Sequence, residues 1–211
     1  MAMLVLGGSA LALGYFAARE GTAVAGKAVS AYLGTPKLIR ETSRPKPWAL
    51  LRGPPKGIEA ARGFADVVLP TKLQDHIAHL AASTTNTKKH GAPFRHMLFY
   101  GPPGTGKSLA AKRLARTSGL HYAILSGGDV APLGGGAVTQ LHEIFDWAEA
   151  TPSGLLLFID EADAFLGRRG ENMSEGLRGA LNAMLYRTGD QSRDFVVVLA
   201  TNRPGDLDAA V

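Results

Sequence analysis

Short apolar runs alternate with stretches of helical periodicity over residues 58–211 of the chain. The apolar runs predict strands at 66–69, 96–100, 122–125, 155–160 and 195–200. Helical spacing predicts helices around 73–80, 108–117, 138–150 and 174–187, and residues 86–93 have the composition of a polar loop. Because the run at 155–160 is apolar almost throughout, it predicts a strand buried on both faces of a parallel sheet. The sequence therefore predicts an α/β fold, a parallel sheet flanked by helices.

Residues 1–18 contain no charged side chain. A helix of that length measures about 27 Å, close to the thickness of a bilayer core of about 30 Å. Small residues recur every fourth position from Ala10 to Gly26, a stripe that lets membrane helices approach closely. Three interpretations stay open: a membrane span, a secretory signal and a soluble packed helix. The span is favoured, because only the α-amino group supplies the positive charge that a signal carries before its apolar run.

Residues 34–57 contain five prolines and six basic residues, with Glu41 as the only acidic residue. Proline at this density is typical of a linker, because it opposes regular helices and central strands. The basic charge suits contact with anionic lipid headgroups, and it equally suits a solvated, extended tether. We therefore divide the chain into a helical segment at 1–33 with a membrane span at about 1–18, a basic linker at 34–57 and an α/β core at 58–211.

Charge and composition narrow the function classes. The 211 residues include no cysteine, which excludes a disulfide scaffold and a thiol nucleophile. Residues 1–57 hold 8 Lys and Arg against 2 Asp and Glu, net +6, whereas residues 58–211 hold 15 against 16, net −1. Since the main domain has no surplus positive charge to offer nucleic-acid phosphates, we expect no direct sequence-specific nucleic-acid binding by it.

One glycine-rich segment matches the phosphate-loop pattern G-x-x-x-x-G-K-[ST] in full, with a predicted strand before it and a predicted helix after it. Glycines let backbone N–H groups turn toward phosphate oxygens, and the helix adds its positive N-terminal end. We expect Lys107 to reach the β- and γ-phosphates and the Ser108 hydroxyl to ligate Mg²⁺. The predicted ATP-binding residues are Gly101, Pro102, Pro103, Gly104, Thr105, Gly106, Lys107, Ser108 and Leu109.

A second set of polar residues follows two later strands. Asp160 ends the apolar run at 155–160 and is expected to hold Mg²⁺ through the water shell of the ion, while Glu161 is expected to polarise the attacking water. Asn202 follows the last strand, where its amide can orient that water. The adjacent glutamate favours hydrolysis over transfer to a small molecule, and the absence of an N-K-x-D motif disfavours a GTPase.

Several other residues have a structural interpretation. His76 and His79 share a predicted helix, but no third ligand is spaced to join them in a metal site. Phe145 and Trp147 are predicted core residues, and the glycine run 134–136 is predicted to be a flexible loop.

The motifs G-P-P-G-T-G-K, D-E-A-D-A and A-T-N-x-P, in this order, resemble the AAA+ ATPases and more closely the AAA family proper. The chain has a narrower resemblance to the mitochondrial AAA-domain-containing protein 3 family. The residues that carry this resemblance are 33–43, 86–89, 126–134, 144–147 and 181–189. The resemblance carries ATP, Mg²⁺ and the site residues above over to this chain, position by position.

The resemblance also implies where and with what the protein works. It implies the mitochondrial inner membrane with the AAA domain on the matrix side, assembly into a homo-oligomer such as a hexameric ring, and nucleoid-associated proteins as further partners. The implied roles are nucleoid, cristae and membrane organisation. A rival interpretation is a non-hydrolysing, nucleotide-dependent membrane scaffold. A third, a DNA-remodelling protein, is opposed by the charge of −1 over residues 58–211.

Two features depart from the general AAA pattern. The stretch 133–135, where unfoldases place an aromatic residue that faces the central pore, has none. The chain ends at Val211, just after the sensor strand, so we expect neither a helical lid nor an arginine finger within it, and we interpret it as a fragment or a truncated gene model. Arg168 and Arg169 are predicted to lie in a solvated or pore-side loop rather than to serve as that finger. Because such a finger raises turnover by about 10³–10⁵, we expect this chain alone to hydrolyse ATP slowly.

Overall fold

The computed structural model describes residues 34–44, 71–151, 153–168 and 173–211. The membrane span predicted at 1–18 and the strand predicted at 66–69 lie outside these residues. Within them, no helix is both long enough and apolar enough to cross a membrane.

Five strands and five α-helices form the described domain, joined by short 3₁₀ turns. The strands are β1 (Glu41–Thr42), β2 (Met97–Tyr100), β3 (His121–Ser126), β4 (Leu155–Asp160) and β5 (Phe195–Thr201). The helices are α1 (Thr71–Lys89), α2 (Lys107–Thr117), α3 (Gly127–Val130), α4 (Gly136–Glu149) and α5 (Glu175–Gly189). The four strands predicted within this part of the chain all form, and the α/β fold is confirmed.

The strands form one sheet in the order β1-β3-β4-β5-β2. The four longer strands are parallel, whereas β1 runs antiparallel to β3 at the edge, which the prediction of a purely parallel sheet did not include. Parallel neighbours need crossover connections, and the helices between the strands supply them. All carboxyl ends of the long strands consequently lie at one edge of the sheet.

Strand β4 divides the apolar core into two layers. Leu155, Leu157 and Ile159 pack with α4 and α5 on one face, while Leu156 and Phe158 pack with α1 and α2 on the other. This alternation follows from the two-residue period of a strand. All five side chains are at most 1% exposed, and full burial of a side chain of this size contributes about 1.5–3 kcal/mol.

The residues predicted for the core and for a flexible loop can now be placed. Phe145 and Trp147 of α4 are buried in the layer with α5, as predicted. Within the glycine run 134–136, Gly136 begins α4 and Gly134 packs closely against α5, since a Cβ on Gly176 would lie 2.4 Å from the Gly134 carbonyl carbon. The run therefore serves a close backbone approach in addition to forming a connection.

Helix α1 is longer than its sequence pattern predicts, so the polar loop expected from residue 86 begins only at His90. Its last turn ends with Gly91 at φ +59°, and the N–H groups of Gly91 and Ala92 donate to the carbonyls of Lys88 and Thr87. This hydrogen-bond pattern closes a helix with a left-handed glycine. The helix persists through polar residues because its buried face, with Ala81 and Thr84, packs against the domain.

Residues 36–44, which we call the strap, pack against the domain core. Leu38 and Ile39 are each 9% exposed and belong to the core layer of α4 and α5. The main chain pairs with β3, with Glu41 opposite Ile124 and Thr42 opposite Ala123. This part of the segment interpreted as a linker is therefore not a solvated tether. A composition averaged over 24 residues hides the two adjacent apolar side chains that anchor it.

We predict that the domain loses stability as the pH falls from about 7 to 5, through His96. Its Nδ1 accepts a hydrogen bond from the Val197 N–H at 3.0 Å, and its ring stacks on Phe195. Burial holds the pKa of His96 below its usual 6.5. The neutral ring therefore stabilises the fold fully above pH about 6.5, and this contribution is lost as the pH falls below that value.

The measurement is the free energy of unfolding by urea at several pH values between 5 and 7. His96→Asn retains an acceptor but cannot titrate, so its pH dependence should be shallower than that of the parent chain. His121, whose pKa is also lowered by burial, leaves a residual slope of the same sign. Equal slopes for the variant and the parent would contradict the prediction.

Candidate nucleotide-binding site

Polar residues of the predicted site converge where the parallel strands end. Ser126 of β3 pairs with Asp160 of β4, and Tyr100 of β2 pairs with Thr201 of β5. In open α/β sheets, ligands bind at this edge, outside the carboxyl ends of the strands. The register therefore brings the loop after β2, the acidic residues at the end of β4 and the amide after β5 to one place.

The loop from Gly101 to Gly106 joins β2 to α2. Gly104 and Gly106 have φ of +77° and +84°, a conformation that other residues adopt only with strain. Gly106 is also the residue that precedes α2, and no side chain caps the N-terminus of that helix. The free N–H groups of the first turn and the helix dipole thus face the loop, an arrangement that binds anionic phosphate.

Lys107 connects the phosphate loop to the residue after β5. Its ammonium group donates to the carbonyls of Gly101 and Pro102 at 2.9 and 3.0 Å and to Asn202 Oδ1 at 2.8 Å. All three N–H donors of the amine therefore have acceptors among the predicted site residues. Lys107 and Asn202, two predicted site residues 95 positions apart in the sequence, are in direct contact.

Ser108 and Asp160, the two predicted Mg²⁺ ligands, also touch. The Ser108 hydroxyl donates to Asp160 Oδ2 at 3.1 Å, and the Glu161 N–H donates to Asp160 Oδ1 at 3.0 Å. Magnesium prefers hard oxygen ligands at about 2.0–2.1 Å in octahedral geometry, which places neighbouring oxygens roughly 3 Å apart. The Ser108 hydroxyl and the Asp160 carboxylate supply hard oxygens of this kind, the hydroxyl for the ion itself and the carboxylate for a water molecule that the ion keeps.

Glu161 is held in a strained conformation. Its φ of 51° is the only positive φ of a non-glycine residue among the described residues. Left-handed backbone at such a residue costs on the order of 1–3 kcal/mol and persists only where the surroundings impose it. Here the Ser126 hydroxyl donates to Glu161 Oε2 at 2.9 Å, and the same hydroxyl accepts the Gly128 N–H at 3.2 Å. The carboxylate is thereby fixed at the carboxyl end of β3.

Sequence reasoning missed the residues that support Glu161. Gly127 packs so closely that a Cβ on it would lie 2.3 Å from the Glu161 carbonyl oxygen. Thr201 and Asp163 also join the end of β5 to the 3₁₀ turn after Glu161, because the Thr201 hydroxyl donates to Asp163 Oδ1 at 2.6 Å. The available signal was Ser-Gly-Gly directly after a predicted strand, which indicates a close backbone approach beside the site.

The remaining predicted residues lie at or outside the rim of the site. The Thr105 hydroxyl donates to the Pro102 carbonyl at 2.9 Å, and Leu109 is exposed on the first turn of α2. The Arg168 N–H donates to the Asp206 carbonyl at 2.9 Å, while Arg169 lies outside the described residues. Across residues 34–44, 71–151, 153–168 and 173–211, no cluster of three or more His, Asp or Glu side chains is arranged to hold a metal ion.

An apolar groove of about 640 Å³ lies beside the phosphate loop, between α1 and β2. Leu73 and Ile77 of α1 form one wall, and Leu98 and Tyr100 of β2 form the other. The loop residues from Gly101 to Lys107 close one end. A flat, weakly polar group attached to a bound phosphate could therefore lie in the groove.

Comparisons with known proteins match both parts of the chain. A family model described as ATPase family associated with various cellular activities (AAA) matches residues 97–211. A second model, described as ATPase family AAA domain-containing protein 3, N-terminal, matches residues 1–40.

Relatives align along the whole chain. ATPase family AAA domain-containing protein 3 of Caenorhabditis elegans is 49% identical over 217 residues, which cover 100% of this chain and 36% of that protein. The 3A protein of Homo sapiens is 48% identical over 216 residues, 98% of this chain and 36% of its own length. The chain thus spans about a third of the length of these relatives. It belongs to the ATPase family associated with various cellular activities, and it is similar to ATPase family AAA domain-containing protein 3 from end to end.

Proposed function

We propose that this chain is the ATP-binding and ATP-hydrolysing AAA module of a mitochondrial inner-membrane protein that takes part in nucleoid, cristae and membrane organisation. The observation that carries the catalytic part is the convergence of Lys107, Asn202, Ser108, Asp160 and Glu161 at one sheet edge. These are the residue types that phosphoryl transfer to water requires, and two pairs of them, Lys107 with Asn202 and Ser108 with Asp160, are in direct contact.

The residues have separable roles in this proposal. Lys107 and the N–H groups at the start of α2 bind the phosphates, and the adjoining groove receives the base and sugar. Ser108 and Asp160 hold Mg²⁺, which neutralises charge on the phosphate oxygens when bound. Glu161 accepts a proton from the attacking water, and Asn202 orients that water. The strained backbone of Glu161 supports this assignment, since such strain concentrates at functional sites.

The cellular part of the proposal rests on the family resemblance and on the sequence of the first 57 residues. We propose that residues 1–18 span the inner membrane, that the basic residues of 34–57 contact anionic lipid, and that the AAA domain lies on the matrix side. Hydrolysis would change the packing of subunits in a homo-oligomeric ring, hexameric in the intact protein, and so move the parts attached to the membrane. Nucleoid-associated proteins are the further partners proposed.

A nucleotide-dependent scaffold is the second candidate, in which ATP binding alone orders the ring. Glu161 in its fixed position favours the enzyme, because a scaffold needs no group to activate water. Glu161→Gln in the intact protein separates the two. Normal inner-membrane organisation in cells that carry this variant would favour the scaffold, whereas disturbed organisation would favour hydrolysis.

We predict that Lys107→Ala lowers the affinity of the 211-residue chain for Mg²⁺–ATP by at least about tenfold, because the charge-assisted contacts to the phosphates are lost. Isothermal titration calorimetry measures the affinity. Lys89→Ala is the matched control, since it removes the same charge from an exposed position on α1. Equal affinities for the parent and Lys107→Ala would refute the phosphate-binding assignment.

Glu161→Gln should lower the single-turnover rate of ATP hydrolysis by about 10²–10⁴-fold and leave ATP affinity within about twofold, because only the proton acceptor is lost. Single-turnover conditions with labelled ATP suit the slow rate expected of this chain. An unchanged rate would exclude Glu161 as the general base.

A third variant tests whether the close packing of Gly127 against the Glu161 carbonyl positions Glu161. Gly127→Ala places a methyl group against the Glu161 carbonyl, and displacement of a catalytic group by about 1 Å can lower the rate roughly 10²-fold. We expect a rate loss of that order with ATP affinity retained, since the phosphate loop is untouched. Gly136→Ala is the control, because a Cβ there meets nothing within 4 Å. Equal rates for both variants would contradict the prediction, and thermal melts establish that both fold.

A further inference from the structure

The strap contacts the elements that carry the candidate site. Its Glu41 carboxylate accepts hydrogen bonds from Lys112 Nζ at 2.7 Å and from the Tyr122 hydroxyl at 2.9 Å. Lys112 lies on α2, the helix that begins at the phosphate loop, and Tyr122 lies on β3. The hydrogen bond from Lys112, followed by that from Tyr122, lowers the pKa of Glu41. The strap is thus joined to both α2 and β3 by a charged residue.

Arg40 holds the junction between β3 and α3 from both sides. Its backbone N–H donates to the Ile124 carbonyl at 2.8 Å, two residues before Ser126. Its side chain forms a two-pronged contact with Asp129 of α3, three residues after Ser126. Arg40 Nε lies 2.6 Å from Oδ2 and Nη2 lies 2.7 Å from Oδ1. A guanidinium in this geometry fixes the orientation of the carboxylate as well as its distance.

The same junction holds Glu161. Ser126 donates to the Glu161 carboxylate, and Gly127 and Gly128 pack against its carbonyl and side-chain oxygens. Since Asp129 follows these residues directly in a single-turn helix, α3 cannot shift without moving them. The contact chain therefore runs from Arg40 through Asp129 and Ser126 to Glu161.

The Arg40–Asp129 pair is poorly placed to stabilise the fold. The two side chains are 59% and 37% exposed, and ion pairs in solvent contribute little to stability. On the inner side, α3 is anchored by Val130, which is fully buried. Loss of the ion pair should therefore leave the domain folded while removing the outer restraint on the orientation of α3.

We propose that Arg40 is a positioning residue for Glu161, acting through Asp129 and the Ser126–Gly128 turn. This inference rests on the proposed function, in which Glu161 activates water. Because only Gly34 and Thr35 separate the strap from residues 1–33 in the chain, a movement of that segment that draws Arg40 away from Asp129 would release Glu161 and slow hydrolysis. The strap is then the route by which the proposed membrane segment regulates the site.

The test compares Arg40→Ala, Arg40→Lys and Asp129→Asn with the parent 211-residue chain. We expect each to lower the single-turnover hydrolysis rate by roughly threefold to thirtyfold, the range of mutations within a coupled network, with ATP affinity within about twofold. Arg40→Lys retains the positive charge but cannot form the bidentate contact with Asp129. Asp129→Asn removes the acceptor carboxylate and leaves Arg40 in place. Arg95→Ala is the control and should leave the hydrolysis rate unchanged. Arg95 is exposed and lies just before β2, the edge strand opposite β1.

A direct charge effect of Arg40 on the nearby carboxylates is the competing explanation. It predicts a loss in Arg40→Ala but not in Arg40→Lys or Asp129→Asn, and that result would overturn the proposal. The exchanged pair Arg40→Asp with Asp129→Arg should restore at least part of the rate if positioning is responsible. In the Glu161→Gln background, Arg40→Ala should cause no further loss, because the group that it positions is absent.

Amide hydrogen exchange supplies a readout that needs no hydrolysis. The Gly128 N–H, which donates to Ser126 Oγ, should exchange faster in Arg40→Ala and Asp129→Asn, while amides of β5 remain unchanged. Unchanged exchange at Gly128 in both variants would overturn the proposal. Failure of the proposed function is distinguishable, because it would appear as an unaltered rate in Glu161→Gln, whatever the strap variants do.

Discussion

The candidate site depends on the register of β4. This strand is apolar from Leu155 to Ile159 because helices cover both faces of the sheet, and parallel neighbours on both sides satisfy its backbone. A shift of β4 by one residue would exchange its two faces, so that each apolar side chain would face the helices of the opposite core layer. The burial of five side chains therefore fixes Asp160 opposite Ser126 and beside the phosphate loop. Packing, and not a local preference of Asp160, determines where the charged chemistry lies.

Strain at Glu161 is compatible with a stable domain because it is confined to one residue and is supported by close contacts. The residue leaves a fully buried strand and enters a 3₁₀ turn, so its backbone must change direction within one step. Gly127 provides the space for its carbonyl, and Ser126 provides a hydrogen-bond donor for its carboxylate. A carboxylate held in this way requires little reorganisation when a water molecule approaches, which is the general advantage of a preorganised site.

The sequence predicted the local features well and the long-range contacts poorly. Strands such as β4 and β5, and the loop from Gly101 to Ser108, are encoded by residues adjacent in the chain, so periodicity and motif spacing are sufficient to find them. Ser126 and Gly127 were missed because their significance depends on Glu161, 35 and 34 positions away. The extension of α1 to Lys89 was missed because tertiary packing overrides the weak helix preference of a polar stretch. The roles of Asn202 and Asp160 in catalysis remain predictions.

The strap combines two kinds of interaction that sequence composition could not separate. Leu38 and Ile39 bind it to the core through burial, which is non-directional and holds the segment without specifying its alignment. The flanking polar residues specify that alignment: Arg40 toward α3 and Glu41 toward α2. Apolar anchoring therefore makes the attachment durable, whereas exposed ionic contacts make its alignment easy to alter. A segment built in this way can remain docked through Leu38 and Ile39 while its ionic contacts to α3 and α2 change. A purely apolar attachment would have no such adjustable contacts. A solvated tether would have no contacts through which a movement could reach Glu161 or Lys107.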